Sequence, residues 1–204
     1  MVKHHSIFLT LLCFSLRVCA QPTSEDYATK VLAVQSMTSR FLSIGGGLNS
    51  NFGLVGWGFE GPISQKITAE GSVGLSTWGF KFHGEIKLYL KENYEGFSFG
   101  LGFGRNSGLS DFDLELETEP DKELQTVTMD LNPLNSINVS VCRVWRLGKR
   151  RRHKFFIQSG FVARTSDRVY NVKSDHTLSP QSIYILKTLA PGGVTLGVGF
   201  CFGL

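Results

Sequence analysis

The stretch GFSFGLGFGRN, residues 96–106, alternates large apolar residues with glycine or serine. Phe97, Phe99, Leu101 and Phe103 occupy every second position. Because a β-strand sends successive side chains to opposite faces, one face of this strand is a column of large apolar groups. The opposite face is almost bare backbone. The pattern therefore predicts a strand with an apolar environment on one side and very close packing on the other.

Seven further runs share this period of two, so the chain is predicted to be all-β, with eight strands. Several runs reach the ~9–11 residues that a tilted strand needs to cross a bilayer. The other runs are FLSIGGGLN (41–49), GLVGWGFEG (53–61), ITAEGSVGLST (67–77), FKFHGEIKLYL (80–90), INVSVCRVWRL (137–147), KFFIQSGFVAR (154–164) and VTLGVGFCFGL (194–204).

The connections between these runs alternate in length. PISQK (62–66), KENYE (91–95) and GKRRRH (148–153) are short and fall at one end of a meander, whereas residues 106–136 and 166–193 form long connections at the other end. Short turns at one rim and long loops at the other are typical of outer-membrane barrels. The connections therefore favour an eight-stranded antiparallel up-and-down transmembrane β-barrel with two long extracellular hairpin loops.

A secreted β-sandwich also alternates, so the content of the less apolar face decides between the two folds. In the second run Val55, Trp57 and Phe59 oppose Gly56 and Gly58. Glycine on a solvent-facing strand weakens the strand and gains nothing. Inside an eight-stranded barrel, where side chains barely fit, glycine makes room. The pattern therefore favours a barrel with phenylalanine columns facing lipid and glycine facing the lumen.

The lumen is also predicted to hold charged groups of both signs. Such charges are tolerated in a narrow, partly dry space only if they pair and hydrogen-bond. We therefore expect a plug of paired charges and not an open pore. The predicted lumen polar network is Glu60, Glu70, Lys81, His83, Glu85, Lys87, Gln158 and Arg164.

Two features concern the ends of the strands. Aromatic residues near the ends of the runs suggest the girdles of membrane barrels, with Trp57, Trp78, Tyr89, Tyr94 and Trp145 as the candidates. Arg143 falls among the apolar positions of its run, which predicts either a β-bulge or a place at the headgroup rim.

The N-terminus has the layout of a cleavable secretory signal: Lys3, an apolar segment from Ile7 to Leu16, and small or aliphatic residues up to Ala20. We expect a signal peptide at 1–20, a periplasmic lead segment at 21–39 and a barrel domain at 40–204. Cys19 does not follow the small residues that precede the cysteine of a lipoprotein signal. The mature chain contains no run of the ~20 apolar residues that a transmembrane helix needs.

The composition of the mature chain does not indicate what partner it binds. Loss of Lys3 and Arg17 leaves 19 basic and 17 acidic residues, so the mature chain is close to neutral. Cys142 and Cys201 remain, and two cysteines without a nearby histidine pattern do not predict a metal site. Their runs are separated by one strand, about two interstrand spacings of ~4.8 Å, which exceeds the reach of a disulfide. We predict free thiols, and a native bridge would favour a soluble barrel.

The secretory signal, the eight glycine-rich strands, the asymmetric connections and the apolar last strand together resemble the small outer-membrane β-barrels of the OmpA/OmpX type, in the "porin family" form. The resemblance covers residues 40–204. It implies the outer membrane of a Gram-negative bacterium, contact with lipid and lipopolysaccharide, a monomer, no cofactor, and a structural, adhesive or surface-binding role without catalysis. One departure is the C-terminus Phe202-Gly203-Leu204, where such chains often end on an aromatic residue.

The first long connection alternates around EPDKE and predicts a hairpin that extends the barrel strands. It is acidic through Asp111, Asp113, Glu115, Glu117, Glu119, Asp121 and Glu123. This surface could bind divalent cations or a cationic partner, or it could be a solvated edge that charge protects from aberrant pairing. The second long connection predicts a similar hairpin, with RVYNVK (168–173) and SIYILKTL (182–189) as its strands.

Two alternatives remain open at this point. One is a lipid-modifying outer-membrane enzyme, for which His83 with Glu85, or His176 with Ser179, are the candidate residues. The other is a secreted soluble barrel that holds a small ligand. We expect no nucleic-acid binding by GKRRRHK (148–154), because a secreted chain meets little nucleic acid and the run fits a tight turn.

Overall fold

A computed structural model describes residues 40–120, 122–148, 152–174 and 177–204. The expected signal peptide and lead segment lie outside these described residues. Eight strands form the barrel, and four further strands and one helix lie in its two long connections. The barrel strands are β1 (Phe41–Leu48), β2 (Val55–Pro62), β3 (Ile67–Ser76), β4 (Gly79–Tyr89), β5 (Gly96–Asn106), β8 (Leu134–Leu147), β9 (His153–Arg164) and β12 (Gly193–Gly203).

The barrel is closed and antiparallel, in the order β1-β12-β9-β8-β5-β4-β3-β2. Closure is made by β1, which pairs with both β2 and β12. The predicted eight-stranded antiparallel barrel is confirmed, because the period of two places one complete face of every strand on the same side of the sheet. The strand ends at the β2–β3, β4–β5 and β8–β9 connections lie at one rim, which we call the short-turn rim. The opposite rim is the long-connection rim.

The wall of the barrel is apolar outside and polar inside. On β4, for example, Phe82 and Ile86 are exposed, whereas Lys81, His83 and Glu85 are buried. The same alternation runs around the barrel. Exposed apolar residues on the eight strands include Ile44, Trp57, Leu75, Phe82, Leu101, Val139, Phe161 and Val198.

The first long connection forms a hairpin of β6 (Leu109–Glu119) and β7 (Leu124–Leu131), in agreement with the predicted hairpin. The register of the pair shifts between Leu109 and Phe112, where Asp111 has a φ of 52°. Two short strands extend this hairpin into a four-stranded sheet, which we call the projecting sheet. Its order is β10-β7-β6-β11, with β10 at Tyr170–Val172 and β11 at Thr177–Leu178.

The second long connection does not form the predicted hairpin. β10 pairs with β7 and β11 pairs with β6, so the two short strands lie on opposite edges of the projecting sheet. The predicted strand at 182–189 is wrong, because Pro180–Leu189 form helix α1. Ser179 caps this helix by accepting a hydrogen bond from the Ser182 amide, and Pro180 takes the first helical position, where no N–H is needed.

A second apolar core lies between the projecting sheet and α1. Leu186 of α1 is buried there with Val127, Met129 and Leu131 of β7. Trp78 belongs to the same core, and its indole Nε1 donates to the Asn132 carbonyl at 3.1 Å. Among the described residues, no helix is long and apolar enough to span a membrane.

The predicted aromatic girdle is therefore wrong for three of its five members. Trp78 is buried in the core of the projecting sheet, and Tyr89 and Tyr94 are buried in the short-turn end of the barrel. Trp57 and Trp145 lie on the outer wall. Position near a strand end does not distinguish an aromatic side chain that faces outward from one that folds into a core.

Arg143 lies on the outer wall without a bulge, because the register on both sides of β8 is continuous there. Its guanidinium lies 4.7 Å from the centroid of the Phe97 ring and 5.5 Å from that of Trp145. Gly96 and Leu147, the strand ends next to this cluster, border the short-turn rim. The predicted bulge is therefore wrong, and Arg143 lies on the outer wall near the short-turn rim.

Candidate functional site

The connection between β1 and β2 folds into the barrel instead of extending outward. Ser50, Asn51 and Phe52 are all buried. The Ser50 hydroxyl donates to the Gly53 carbonyl at 2.6 Å, and the Asn51 carbonyl accepts from Ser72 at 2.8 Å. The segment Asn49–Leu54 therefore fills the long-connection end of the lumen, and we call it the inner loop.

The glycines of β1 and β2 provide the room for this inner loop. A Cβ on Gly45 would lie 3.0 Å from Phe52 Cδ2, and a Cβ on Gly58 would lie 3.0 Å from Phe52 Cε1. Both distances are shorter than ordinary carbon contacts, so larger residues would push the phenylalanine aside. The bare column seen in the sequence is thus the surface against which Phe52 packs.

An ion pair crosses the short-turn half of the lumen. Lys154 Nζ on β9 lies 3.2 Å from Glu60 Oε1 on β2, and both side chains are buried. The Tyr89 hydroxyl donates to the same Glu60 oxygen at 2.8 Å. Lys154 also lies 3.5 Å from the centroid of the Phe41 ring. The carboxylate and the ammonium therefore both have partners, as buried charges require.

A second network lies in the middle of the lumen around Glu85. Lys87 forms a salt bridge with Glu70 and lies 3.9 Å from Glu85. Glu85 accepts from the Asn51 amide at 2.7 Å and from the Ser140 hydroxyl. Because Asn51 belongs to the inner loop, this carboxylate joins the inner loop to the barrel wall.

The structure brings seven of the eight predicted lumen residues into the barrel. Glu60 is paired with Lys154, whereas Lys87 is paired with Glu70 and Glu85. The other three, Lys81, His83 and Gln158, are buried at other points of the same lumen. Arg164 differs. It lies on the lumen phase of β9 but at the end of the strand, where it is exposed and donates to the Lys187 carbonyl of α1 at 3.4 Å.

Several lumen residues were missed by the sequence analysis. Lys154 is the ion-pair partner of Glu60, and Asn138 and Ser140 contact the Glu85 network. A signal for all three was present, since Asn138 and Ser140 alternate with Ile137, Val139 and Val141, and Lys154 shares the phase of Gln158. Nothing in the pattern marks Asn51, because it lies in a connection with no periodicity.

The candidate catalytic pairs are not assembled in the described residues. His83 Nε2 is hydrogen-bonded to Asn138 Oδ1 at 2.8 Å, and Glu85 contacts Asn51 and Ser140 instead of His83. Ser179 is the N-cap of α1, and His176 lies outside the described residues. A nucleophile, a base and an orienting acid within hydrogen-bond reach are the geometry that such chemistry needs.

The acidic residues of the first long connection lie mostly exposed on the projecting sheet. Lys173 Nζ lies 2.7 Å from Asp111 Oδ1 and 2.9 Å from Asp130 Oδ1. The Thr128 hydroxyl donates to Asp113 at 2.6 Å. Glu115, Glu117, Glu119 and Glu123 complete the described part of the set, and Asp121 lies outside the described residues.

Hydrogen bonds shift two pKa values in this cluster. The Asp111 backbone N–H and the Lys173 ammonium both donate to Asp130 and hold the pKa of that carboxyl below its ordinary value. The same contacts with Asp111 and Asp130 raise the pKa of Lys173. Each shift favours the charged form of the group.

Cys142 and Cys201 are free and buried in the lumen. They lie on β8 and β12, on either side of β9. Within the described ranges, no group of three or more His, Cys, Asp and Glu side chains is placed to hold a metal ion.

Comparison with known proteins gives no assignment, since no protein-family model and no curated protein sequence matches this chain.

Proposed function

We propose that the chain is an outer-membrane β-barrel protein with a structural or surface-binding role. The observation that carries the proposal is the inverted wall of the barrel, with large apolar side chains exposed outside and buried charges inside. Leu101 is 62% exposed and Phe161 is 59% exposed, whereas Glu60 and Lys154 are each 1% exposed.

The energetics of burial support this proposal. Soluble monomers rarely expose a contiguous apolar patch of more than a few hundred Å², because each Å² of apolar surface in water costs about 25 cal/mol. In a bilayer the same surface contacts the hydrocarbon of the lipid instead of water, so this cost is absent. It also requires that every backbone hydrogen bond be made within the protein, which a closed barrel provides. Six of the eight barrel strands have 10–14 residues, which meets the length of ~9–11 residues that a tilted strand needs to span the apolar layer.

The filled lumen supports a role other than solute transport. The inner loop occupies the long-connection end, and a buried cluster that includes Phe41, Tyr89, Tyr94 and Phe156 occupies the short-turn end. Between them lie the paired charges. The projecting sheet then becomes the part of the molecule available to a surface partner, since it extends from the long-connection rim with its acidic side chains exposed.

Quenching of single tryptophans by brominated lipid tests the membrane setting. In vesicles, a variant that keeps only Trp57, which is 67% exposed on the outer wall, should lose much of its fluorescence when the acyl chains are brominated. A variant that keeps only Trp78, which is 2% exposed in the other core, is the matched control and should change little. Proteolysis around Pro120 in intact cells tests surface display.

Two results would contradict the proposal. The first is equal and weak quenching of both tryptophans in vesicles. The second is a monodisperse, folded chain in buffer without detergent, because an exposed apolar wall should associate under those conditions.

A further inference from the structure

A small cavity lies at the long-connection rim, apart from the paired charges of the lumen. Its volume is about 100 Å³, and it is bounded by the inner loop, the β3–β4 turn and the residues at the end of α1. Leu48, Leu54, Leu189 and Pro191 line its apolar walls. Lys81 and Asn106, which pair directly across β4 and β5, contribute its polar groups.

Lys81 is a buried ammonium that forms no salt bridge with any described carboxylate, although the charge of Glu85 acts on it from a greater distance. Its side chain donates to the Ser50 carbonyl at 2.6 Å and to the Asn49 carbonyl at 3.2 Å. Across the described part of the chain, no carboxylate forms a salt bridge with it, whereas Lys87 pairs with Glu70 and Lys154 pairs with Glu60. An ammonium has three N–H donors, so one donor of Lys81 is left over. A buried cation of this kind is stabilised by a nearby anion.

Asn106 supplies a second donor beside it. The residue is fully buried, and its Oδ1 accepts from the Ser76 hydroxyl at 2.9 Å. Among the described residues, no acceptor lies within hydrogen-bond reach of its Nδ2. A buried donor without an acceptor costs about 1–3 kcal/mol. The cavity is therefore lined by one remaining N–H of the Lys81 ammonium and by the Asn106 amide nitrogen, which has no acceptor among the described residues.

Three carbonyls at the end of α1 already accept hydrogen bonds from other groups. The Leu186 carbonyl accepts from the Ala190 amide, the Lys187 carbonyl accepts from Arg164, and the Leu189 carbonyl accepts from Thr77 at 3.3 Å. Either a bound ligand or water can supply the acceptor that these donors lack.

We infer that this cavity binds a small aliphatic carboxylate, with one oxygen on Lys81 Nζ and the other on Asn106 Nδ2. The apolar walls of the cavity contact the short hydrocarbon end of the carboxylate. A cavity of ~150 Å³ holds benzene, so about 100 Å³ corresponds to a ligand of roughly four to five non-hydrogen atoms. Propionate has this size and this distribution of charge.

Saturation-transfer NMR on the folded chain in detergent micelles tests the inference, with propionate as the probe. Propionate should receive saturation from the protein, whereas propionamide and propylamine, which match it in size but lack the negative charge, should receive little. An equal signal from propionamide, or a stronger one from propylamine, would overturn the assignment of an anion site. Absence of transfer to propionate would overturn it outright.

Variants locate the site. Lys81→Met should raise the Kd for propionate at least tenfold, and Asn106→Leu should raise it several-fold. Arg105→Met is the matched control, because Arg105 adjoins Asn106 in β5 but is an exposed cation on the outer wall, and its removal should leave the Kd unchanged. Unchanged binding in Lys81→Met would contradict the inference.

A measurement on the unmodified chain covers the case in which the lysine variant does not fold. The side-chain amide signal of Asn106 should shift on titration with propionate and saturate. If that signal stays in place while propionate binds, the ligand lies elsewhere and the inference is wrong.

Discussion

Lys154 on β9 and Glu60 on β2 form a salt bridge across the lumen at 3.2 Å, although β12 and β1 separate their strands in the barrel. The pair therefore joins opposite parts of the wall through the interior. Removal of one partner leaves the other as an unpaired buried charge, whereas removal of both leaves a neutral cavity. The consequences for stability are measurable.

We expect Glu60→Gln and Lys154→Met each to lower the free energy of unfolding by about 3–5 kcal/mol, the range for breaking a buried pair. The double variant should lose less than the sum of the two single variants. Urea titration in lipid vesicles, followed by tryptophan fluorescence, measures this double-mutant cycle. Lys173→Met, which breaks an exposed ion pair on the projecting sheet, is the control and should change stability little. Strict additivity would show that the two charges do not interact.

Two glycines that lie on different faces of the barrel wall should differ in their response to substitution by alanine. A Cβ on Gly102 would lie 2.5 Å from Asn138 Oδ1 and 2.7 Å from the Gly84 carbonyl, so Gly102→Ala should cost about 1–3 kcal/mol of stability. A Cβ on Gly84 would meet nothing within 4 Å, so Gly84→Ala should be neutral or slightly stabilising. The same urea titration compares them. A larger loss from Gly84→Ala would reverse the assignment of faces.

Two exposed leucines distinguish the barrel wall from the projecting sheet. Leu101 lies in the middle of β5 and Leu124 begins β7, and they are 62% and 72% exposed. If lipid surrounds the barrel, Leu101→Arg should destabilise the protein by roughly 2–4 kcal/mol in vesicles, since arginine near the bilayer midplane is costly. Leu124→Arg should have almost no effect. Tolerance of both substitutions would contradict a lipid-facing wall.

The projecting sheet should show a pH-dependent contact. The folded pKa of Asp130 lies below its ordinary value, so its contribution to stability is present above the unfolded-state pKa and is lost as pH falls through the folded pKa. Lys173→Met should raise the Asp130 pKa partway, because the Asp111 N–H still donates to the carboxyl. Carbon-13 NMR titration of the carboxyl measures the shift, with Lys122→Met as the control. An Asp130 pKa that does not respond to Lys173→Met would exclude the contact in solution.

The two cysteines should resist modification until the protein unfolds. Cys142 and Cys201 are each 2% exposed and lie two strands apart in the barrel. Mass spectrometry after maleimide treatment should find no adduct on Cys142 or Cys201 in the folded chain and an adduct on each of them after denaturation without reductant. A disulfide in the untreated protein would contradict this arrangement and favour the soluble alternative.

The site could be predicted only in part. Alternation placed Lys81, His83, Glu85 and Lys87 on one face of β4, and the structure buries all four in the lumen. The alternation could not predict the hydrogen-bond and ion-pair partners of these residues, because contacts across a barrel join strands that are distant in the sequence. Glu60, for example, is 94 residues from Lys154. The sequence likewise did not indicate whether the Asn49–Leu54 connection points outward or into the lumen. It enters the lumen because Phe52 packs against the glycines of β1 and β2.

The failed hairpin at 182–189 has a local and a tertiary cause. SIYILKTL contains enough β-branched and aromatic residues to look like a strand, but Ser179 and Pro180 begin a helix immediately before it. Burial of Leu186 against Val127 and Met129 then stabilises that helix. Short apolar runs of this kind are ambiguous between helix and strand until their packing surface exists.

By itself the sequence determined the strands of the barrel and the chemistry of each face, because a period of two acts residue by residue and needs no distant partner. Tertiary structure decided which charges meet, that the Asn49–Leu54 connection enters the lumen, and that a helix packs on the projecting sheet. Those outcomes depend on the space left between strands once the barrel has closed, and that space does not exist in an isolated segment.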